Sequence, residues 1–365
     1  VVVRIKPVNG IAAGDTLLRN VTKDSLTVGE RNYTFDSVFD VHSTQEDLYQ
    51  RIGVPLVKDA LSGYNASIFA YGQTGTGKSY TMWGPPSAMV EGQATTELQG
   101  IVPRIFKDLF SEIQKDQGNS DDKQINYHCR CSFLEIYDEK IYDLLDPKQR
   151  NLEIKDDPRN GFYVENLTEE YVTCYEDVTH VLIMGLSKRK LGATSVNSKS
   201  SRSHIMFTCV IDSWHKEAFS TCFGTSKTSR ISLVDLAGFE TNLLGDRDRQ
   251  HLKETKYIKK SLSKLGHILN VLAQGNQPAS SEEVPYRSSR MTHLLRESFG
   301  GNAKLSIICT VFPDNGNCNE TASTLRFGSR ARLMKNMPVV NELKEDEVND
   351  LSDQIRQLKE ELMRA

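Results

Sequence analysis

A glycine-rich stretch, GQTGTGKS at residues 72–79, directly follows the apolar run ASIFAY and most constrains the fold of this chain. Gly72, Gly77, Lys78 and Ser79 match the pattern G-x-x-x-x-G-K-[ST], which binds phosphate when a strand precedes it and a helix follows. The glycines let successive backbone N–H groups point into one concavity. The lysine adds positive charge, and the hydroxyl can bind the magnesium ion that accompanies phosphates. The alternative is a flexible glycine turn, but the preceding strand favours nucleotide binding.

Strands and helices alternate along the chain. Nearly apolar runs typical of strands occupy 1–5, 66–71, 128–137, 203–212, 230–236 and 305–312. Apolar residues recur at helical spacing over 102–113 and 258–272. Apolar strands of this kind suit a sheet that is covered on both faces. We therefore predict an α/β fold of three layers: a central, mostly parallel mixed sheet with helices on both faces. We expect surface loops over 84–99 and 114–125.

Composition limits the possible partners. The 365 residues suffice for one large α/β domain or two smaller ones, and a net charge of −3 gives no whole-protein attraction to nucleic acid or an anionic membrane. No apolar run has the length of a membrane span, and the opening VVVRIKPVNG resembles a strand rather than a signal peptide. Seven scattered cysteines without a CxxC pair fit a reducing compartment. We expect a cytoplasmic protein with neither a nucleic-acid nor a membrane partner.

Two further motifs bear on what a bound nucleotide would do. In RISLVDLAGFE, Asp235 ends an apolar strand and could hold magnesium through water, while Gly238 could offer its N–H to a γ-phosphate. This pattern alone is common by chance. In NSKSSRSH, residues 197–204, three serines and an arginine supply hydroxyls for a metal and a water, and a guanidinium for a carboxylate. The alternative for that stretch is a solvated serine-rich loop.

Taken in order, these motifs resemble the kinesin motor domain, and the resemblance covers essentially the whole chain. Supporting stretches are RIKP (4–7), FLEIYDEKIYDLL (133–145), KKSLSKLGHIL (259–269), VPYRSSRMTHLLRESFGGN (284–302) and STLRFGSRAR (323–332). The sequence is most similar to the phragmoplast and spindle kinesins of the twelfth class. The resemblance implies a P-loop NTPase fold of kinesin type, with ATP or ADP and Mg²⁺ as ligands. It also implies a microtubule-stimulated ATP hydrolase that moves along microtubules, towards their plus ends.

The resemblance also implies which residues hold the nucleotide and the metal. Arg4 and Pro7 would flank the adenine, with Tyr80 stacking near it. The nucleotide contacts would come from Arg4, Pro7, Gly72, Gln73, Thr74, Gly75, Thr76, Gly77, Lys78, Ser79 and Tyr80. Magnesium would be bound by Ser79 and Ser201, with Asp235 acting through a water.

Catalytic roles follow from the resemblance in the same way. Ser200 would lie near the attacking water, and Lys78 would lie on the outer phosphates. Gly238 would report the γ-phosphate through its N–H, and Arg202 would then pair with Glu240. The chemistry implied is in-line attack by water on the γ-phosphorus, in which the protein supplies position and charge.

The sequence departs from the family pattern at four positions. Lys6 stands where the second arginine of RxRP is usual, Phe239 where LAGSE has its serine, Lys259 where an asparagine precedes KSL, and Ser288 where an aspartate is usual. These departures concern the rate and the switch kinetics. They leave the prediction of ATP hydrolysis unchanged.

Positive charge is concentrated in the segment 251–304, which holds nine Lys and Arg against four Asp and Glu. The segment is therefore +5 in a chain of −3. A solvated face is the alternative, but a patch that follows the γ-phosphate sensor suits a nucleotide-coupled binding surface. The resemblance names its partner as the acidic microtubule. The candidate contacts are Lys259, Lys260, Lys264, Arg287, Arg290 and Arg296.

The resemblance divides the chain into a motor domain (1–335), a neck linker (336–345) and the start of a coiled-coil neck helix (346–365). Pro338 and two β-branched valines after it favour an extended linker. Beyond them, apolar residues at a and d spacing are Val348, Leu351, Ile355, Leu358 and Leu362. This seam predicts a homodimer of the full-length chain. The alternative is a single amphipathic helix on the motor's own surface.

Two other functional classes stay open. One is a microtubule-binding scaffold that holds nucleotide with little turnover, which the intact Lys78, Arg202 and Glu240 disfavour. The other is a switch GTPase, which the absence of a guanine-reading N-K-x-D element at a strand end disfavours. Phosphate release from ATP and GTP, with and without microtubules, separates the three.

Overall fold

A mixed sheet of eleven strands forms the centre of the protein. The computed structural model describes residues 1–7, 16–89, 96–118, 123–157, 161–191, 202–217, 223–239, 249–274 and 284–343. The strands of the central sheet are β1 (Val2–Ile5), β5 (Ser37–Phe39), β6 (Ala66–Tyr71), β7 (Lys123–Tyr137), β8 (Lys140–Asp143), β9 (Arg150–Leu152), β12 (Glu170–Val172), β13 (His204–Glu217), β14 (Phe223–Asp235), β15 (Lys304–Val311) and β16 (Glu342–Leu343). Outside it lie a three-stranded sheet and a hairpin, made of β2 (Leu18–Arg19), β3 (Ser25–Val28), β4 (Arg31–Thr34), and β10 (Ile154–Asp157), β11 (Gly161–Val164).

Helices cover both faces of the central sheet. They are α1 (Gln45–Leu48), α2 (Val54–Leu61), α3 (Lys78–Met82), α4 (Ile101–Gly118), α5 (Tyr175–Leu191), α6 (Arg249–Ala273), α7 (Arg290–Leu294) and α8 (Cys318–Ala331). One buried cluster lies under α2, α4 and α5, and a second under α6, α7 and α8. The predicted three-layer α/β fold is confirmed. Among the described helices, none is both long and apolar enough to cross a bilayer.

The order of the strands places the glycine-rich loop beside the end of β14. The strands run in the order β5-β1-β15-β6-β14-β13-β7-β8-β9. The first five are parallel and the pairs after β14 are antiparallel. In the parallel pair of β6 and β14, Ala70 lies opposite Asp235. Both strands therefore end at the same edge of the sheet, where residues 72–79 meet 236–239.

Several element boundaries differ from those expected. β6 matches its predicted bounds, whereas β7 and β14 extend further towards their N-termini than predicted. The predicted loop over 114–125 is wrong in part, because α4 continues to Gly118 and β7 begins at Lys123. The last turns of α4 are solvent-exposed and polar, so they show no periodic pattern of apolar residues that would indicate a helix.

Candidate nucleotide-binding site

The loop between β6 and α3 is shaped by glycine and braced by β15. Gly77, which precedes α3, has a φ of 101°, a conformation that glycine adopts without steric cost. At Gly72, a Cβ would lie 2.3 Å from the carbonyl oxygen of Thr310, so a side chain there would push the loop off β15. The hydroxyls of Thr76 and Thr310 share a hydrogen bond of 2.7 Å. The loop is therefore held in place by contacts with β15.

Lys78 lies under this loop. Its side chain is buried, with 7% of the residue exposed, and Nζ donates to the carbonyl oxygens of Gly72 and Gln73 at 2.9 Å each. These contacts place the ammonium group among the backbone atoms that would surround a phosphate chain. The structure thus puts the predicted lysine where its charge can act on phosphate oxygens.

Ser79 and Asp235, 156 positions apart in sequence, meet at the edge of the sheet. The Ser79 hydroxyl donates to Asp235 Oδ2 at 2.6 Å, and Trp83 Nε1 donates to the same oxygen at 3.2 Å. The other carboxylate oxygen, Oδ1, is buried and has no hydrogen-bond partner among the described residues. Hydroxyl and carboxylate oxygens are ligands that Mg²⁺ prefers, so this pair fits the metal that the family implies. The third predicted ligand, Ser201, lies outside the described residues.

A buried arginine that sequence reasoning missed supports this carboxylate. Arg189 of α5 is 7% exposed, and its Nη1 lies 3.6 Å from Asp235 Oδ2. Nη2 donates to the carbonyl oxygen of Ser203 at 3.1 Å, just before β13. A nearby cation offsets the cost of keeping a carboxylate out of water. In the sequence, Arg189 lies within the run SKRKL, which gives no reason to single it out.

The base end of the cleft is organised by Arg4. Its Nη1 donates to Gln45 Oε1 at 2.6 Å and to Thr81 Oγ1 at 2.9 Å, and its guanidinium lies 5.6 Å from the centre of the Tyr80 ring. Burial lowers the pKa of Arg4. Tyr80 is 42% exposed, so one face of its ring is open to a stacking partner. Gln45 and Thr81, which the sequence did not indicate, are the buried groups that fix Arg4.

Lys6, where the family pattern has arginine, contacts the phosphate loop directly. Its Nζ donates to the carbonyl oxygen of Gly75 at 2.8 Å and lies 5.0 Å from the centre of the Phe312 ring. Pro7 is exposed at the rim of the same cleft. The departure at position 6 therefore keeps a cation beside the loop.

The segment after β14 touches the phosphate loop at Gly238. A Cβ on Gly238 would lie 2.6 Å from the backbone nitrogen of Thr74, so only glycine allows this approach. One residue earlier, the Ala237 N–H donates to Nδ1 of the buried His204 at 3.0 Å. Nε2 of His204 therefore carries its proton and donates to Ser261 of α6 at 3.0 Å. His204 lies in NSKSSRSH, but sequence reasoning gave it no role.

Replacing His204 by asparagine is expected to flatten the acid dependence of stability. Burial, aided by the charges of Arg189 and Lys78, lowers the pKa of His204 to about 3 from 6.5. Between those values the unfolded chain binds one more proton, so wild-type stability falls as the pH falls. The variant should lose up to about 1.4 kcal/mol per pH unit of this slope. Urea unfolding from about pH 7 to 4 measures it, with the exposed His42→Asn as control. An unchanged slope would count against a neutral buried imidazole.

A cleft of about 1370 Å³ joins the base end to the phosphate loop. Its walls include Arg4, Pro7, Thr74, Gly75, Thr76, Gly77, Lys78, Ser79, Tyr80, Asp235 and Gly238. Gly72 and Gln73 belong to the loop just behind this wall. Arg202 is partly buried, two residues before β13. Ser200 and Glu240 lie outside the described residues, so the Arg202–Glu240 pair stays a prediction.

The predicted cationic contacts lie on α6, on α7 and in the turns before and after α7. Lys259 and Lys260 are exposed, Lys264 is partly buried, and no ion pair joins any of the three to another described residue. Arg287, in contrast, pairs with Asp156, and Arg290 Nη2 lies 3.5 Å from Glu153 Oε1.

Arg296 is held differently from the other cations. Its guanidinium lies 4.6 Å from the centre of the Phe162 ring and 5.9 Å from that of Tyr286. These contacts restrict its side chain to the surface of the protein. The six cations thus differ in whether they already contact other residues of the protein. A count of charges in the sequence does not reveal this difference.

The segment after α8 lies along the sheet in an extended form. The N–H of Met337 donates to Gly301 O at 3.1 Å, and that of Val339 to Asn302 Oδ1 at 2.7 Å. The N–H of Asn341 donates to Gly63 O at 3.0 Å, and β16 then pairs antiparallel with β14. Residues 336–343 are thus extended, whereas their role as a neck linker stays a prediction. The predicted coiled-coil segment, 346–365, lies outside the described residues.

Comparison with known proteins identifies the kind of domain. The family model described as the kinesin motor domain matches residues 8–334. Kinesin-like protein KIN-12F of Arabidopsis thaliana is 54% identical over 365 residues, which is the whole of this chain and 32% of that protein. Kinesin-like protein KIN-12B of Arabidopsis thaliana is 48% identical over 365 residues, or 28% of that protein. The chain therefore spans about a third of the length of these curated relatives.

Solved structures agree with the sequence comparison. A fast kinesin superposes with a TM-score of 0.81 at 38% identity, covering 94% of this chain and 93% of that one. A KIF14 dimer, in a two-heads-bound state with AMP-PNP on a microtubule, superposes with a TM-score of 0.80 at 36% identity. That match covers 96% of this chain and 98% of the other.

Proposed function

The chain belongs to the kinesin motor-domain family, and on that basis we propose that it is a microtubule-stimulated ATPase that moves along microtubules. The observation that carries the proposal is the contact between Gly238 and Thr74 beside the Ser79–Asp235 pair. The proposed sensor segment (residues 236–239), the phosphate loop (residues 72–79) and the predicted magnesium ligands Ser79 and Asp235 meet within one cleft. This is the arrangement that γ-phosphate cleavage and its detection require.

The residues of the chain would act mainly by position and charge. Arg4 and Tyr80 hold the base, and the loop with Lys78 holds the phosphate chain. Bound magnesium would be held by Ser79 and Ser201, with Asp235 acting through a water, and would supply charge neutralisation on the outer phosphates. Ser200 would position the attacking water. The Gly238 N–H would bind the γ-phosphate, and closure of the Arg202–Glu240 pair would report its presence.

The filament partner is proposed to bind the exposed lysines of α6 and the cations around α7. The KIF14 structure shows a related domain bound to a microtubule. In this chain, Lys259 and Lys260 lie on α6, the helix that His204 joins to the sensor segment through Ser261. A change at the γ-phosphate therefore has a hydrogen-bonded route to the proposed binding surface.

We further propose plus-end-directed movement, dimerisation of the full-length chain through residues from 346 onwards, and a place on microtubules of the spindle or phragmoplast. Direction is supported by the order of the motor and its neck. The dimer is supported by the a/d seam. The location is supported by the resemblance to the twelfth-class kinesins, since the curated relatives compared here include KIN-12 proteins.

Phosphate release from ATP and GTP, with and without microtubules, tests the proposed function. We expect slow hydrolysis of ATP alone, strong acceleration by microtubules and little use of GTP. The second candidate, a scaffold that holds nucleotide, predicts microtubule binding with little turnover under either condition. Faster hydrolysis of GTP than of ATP, at a rate that microtubules do not change, would contradict both candidates.

Reversing two lysines of α6, by Lys259→Glu and Lys260→Glu, is expected to weaken microtubule affinity at least tenfold. Both are exposed and unengaged among the described residues, so the change removes attraction without leaving an internal partner unpaired. The attraction is screened over about 10 Å at 0.1 M salt, so wild-type affinity should also fall as salt rises. Cosedimentation measures both effects.

The matched control reverses two exposed cations on the separate three-stranded sheet, Arg19→Glu with Lys23→Glu. It applies the same change of net charge elsewhere and should alter affinity less than threefold. Equal losses in the two double variants would show that net charge, and not this surface, determines binding.

A further inference from the structure

Three aromatic rings form a stack between the sensor segment and the end of β6. The Phe239 ring lies 5.2 Å from that of Tyr71, centre to centre, at an interplanar angle of 25°. On the other side of Tyr71, the Phe327 ring of α8 stacks at 3.7 Å and 9°. Tyr71, the middle ring of the stack, immediately precedes Gly72, the first residue of the phosphate loop. Tyr71 and Phe327 are each 7% exposed, so both rings are buried in the protein.

The backbone of Gly238 lies between two anchors. On its N-terminal side, the Leu236 N–H donates to Ala70 O at 3.3 Å, and the Ala237 N–H donates to His204 Nδ1. On its C-terminal side, the contact that the described residues provide is the stacking of Phe239 on Tyr71. Among the described residues, this ring therefore holds Gly238 from its C-terminal side.

We propose that Phe239 is a positioning residue, which holds the backbone of Gly238 against the phosphate loop by stacking on Tyr71. This inference rests on the proposed function, in which Gly238 binds the γ-phosphate. The stack favours the arrangement that can make this contact before nucleotide arrives. A ligand with a γ-phosphate gains from that preorganisation, whereas ADP, which does not reach Gly238, gains little.

Nucleotide affinity of Phe239 variants tests the proposal. A stacked aromatic pair contributes a favourable free energy beyond that of the apolar area that its rings bury. Loss of the stack should therefore weaken binding of a non-hydrolysable ATP analogue about three- to tenfold. We expect this for Phe239→Leu and Phe239→Ala, with ADP affinity changed less than twofold. Phe239→Tyr keeps the ring and should bind both as the wild type does. Phe162→Leu is the matched control, because Phe162 is also partly buried against the same core cluster but lies on β11.

The outcomes separate the proposal from simple core packing. Equal losses for the ATP analogue and ADP, or no loss for either, would overturn the positioning role. So would a differential loss in Phe162→Leu of the same size. Failure of the wild-type chain to bind either nucleotide would overturn the proposed function, and this inference with it. A selective loss that Phe239→Tyr restores is the result expected.

Discussion

Lys78→Met is expected to lower microtubule-stimulated ATP turnover at least a hundredfold. Methionine keeps the length and apolar stem of lysine but removes the charge that the carbonyl oxygens of Gly72 and Gln73 hold beneath the proposed phosphate site. The loss of one preorganised electrostatic contact typically costs 10² to 10³ in rate. Steady-state phosphate release at saturating microtubules measures the effect. Lys6→Met, which removes a cation from the outer side of the same loop, should cost less than tenfold.

Glu240→Ala gives a contrasting defect. If Glu240 closes with Arg202 after the γ-phosphate is sensed, its loss should leave nucleotide bound and nearly abolish turnover. Lys78→Met should weaken nucleotide binding as well. Fluorescent ADP binding separates the two. Turnover within threefold of wild type in Lys78→Met would contradict the role given to that lysine, and near-normal turnover in Glu240→Ala would contradict the switch pair.

The contact between the phosphate loop and Asp235 could be anticipated from the sequence only in part. Each motif follows an apolar strand, and carboxyl ends of neighbouring parallel strands meet at one edge. The sequence could not show that β6 and β14 are neighbours. The register of Ala70 opposite Asp235 supplies that step.

The residues that support this site could not be anticipated in the same way. Arg189, Gln45 and Phe327 lie on three different helices or helical turns, each far in sequence from its partner. Their roles depend on which helix packs over which strand end. A buried arginine within a basic run and a solvated one have the same sequence signal. His204 is intermediate, since its motif was recognised but its partner on α6 was not.

The cationic surface illustrates a different limit. Counting residues located an excess of positive charge in 251–304 but did not distinguish its members. Arg287 and Arg290 pair with carboxylates of and beside β10, more than 130 positions away. Such pairs form only after the hairpin packs near α7. Lys259 and Lys260 therefore offer a sharper test of this surface than these arginines do.

In the C-terminal segment, the contacts seen in the structure single out a different residue from those that the sequence indicated. The sequence drew attention to Val339 and Val340, which favour an extended chain. In the structure they are 55% and 37% exposed, so their side chains contribute little buried area. Glycine at both positions would act mainly by loosening the undocked chain. Asn341, between Val340 and β16, is the more strongly anchored residue.

Asn341 fixes the segment through both ends of its amide. Its Nδ2 donates to Gly63 O at 3.0 Å and to Asn65 Oδ1 at 3.2 Å, and its Oδ1 accepts from Asn302 Nδ2 at 2.8 Å. Its backbone N–H and carbonyl also bond, to Gly63 and Thr228. The segment is therefore joined to the chain before β6, to the turn before β15 and to β14.

Asn341→Ala is accordingly expected to separate movement from hydrolysis. The change removes three side-chain hydrogen bonds worth about 1 kcal/mol each, which would shift the docking equilibrium roughly a hundredfold. Gliding speed should fall at least tenfold, while microtubule-stimulated ATPase stays within about threefold of wild type because the nucleotide cleft is untouched. Glu342→Gln is the matched control, since its ion pair with Lys227 spans 3.8 Å between partly exposed side chains and contributes little. Normal gliding by Asn341→Ala, with normal ATPase, would show that docking of this segment does not carry the movement. Equal loss of gliding and ATPase would place Asn341 in the hydrolytic cycle instead.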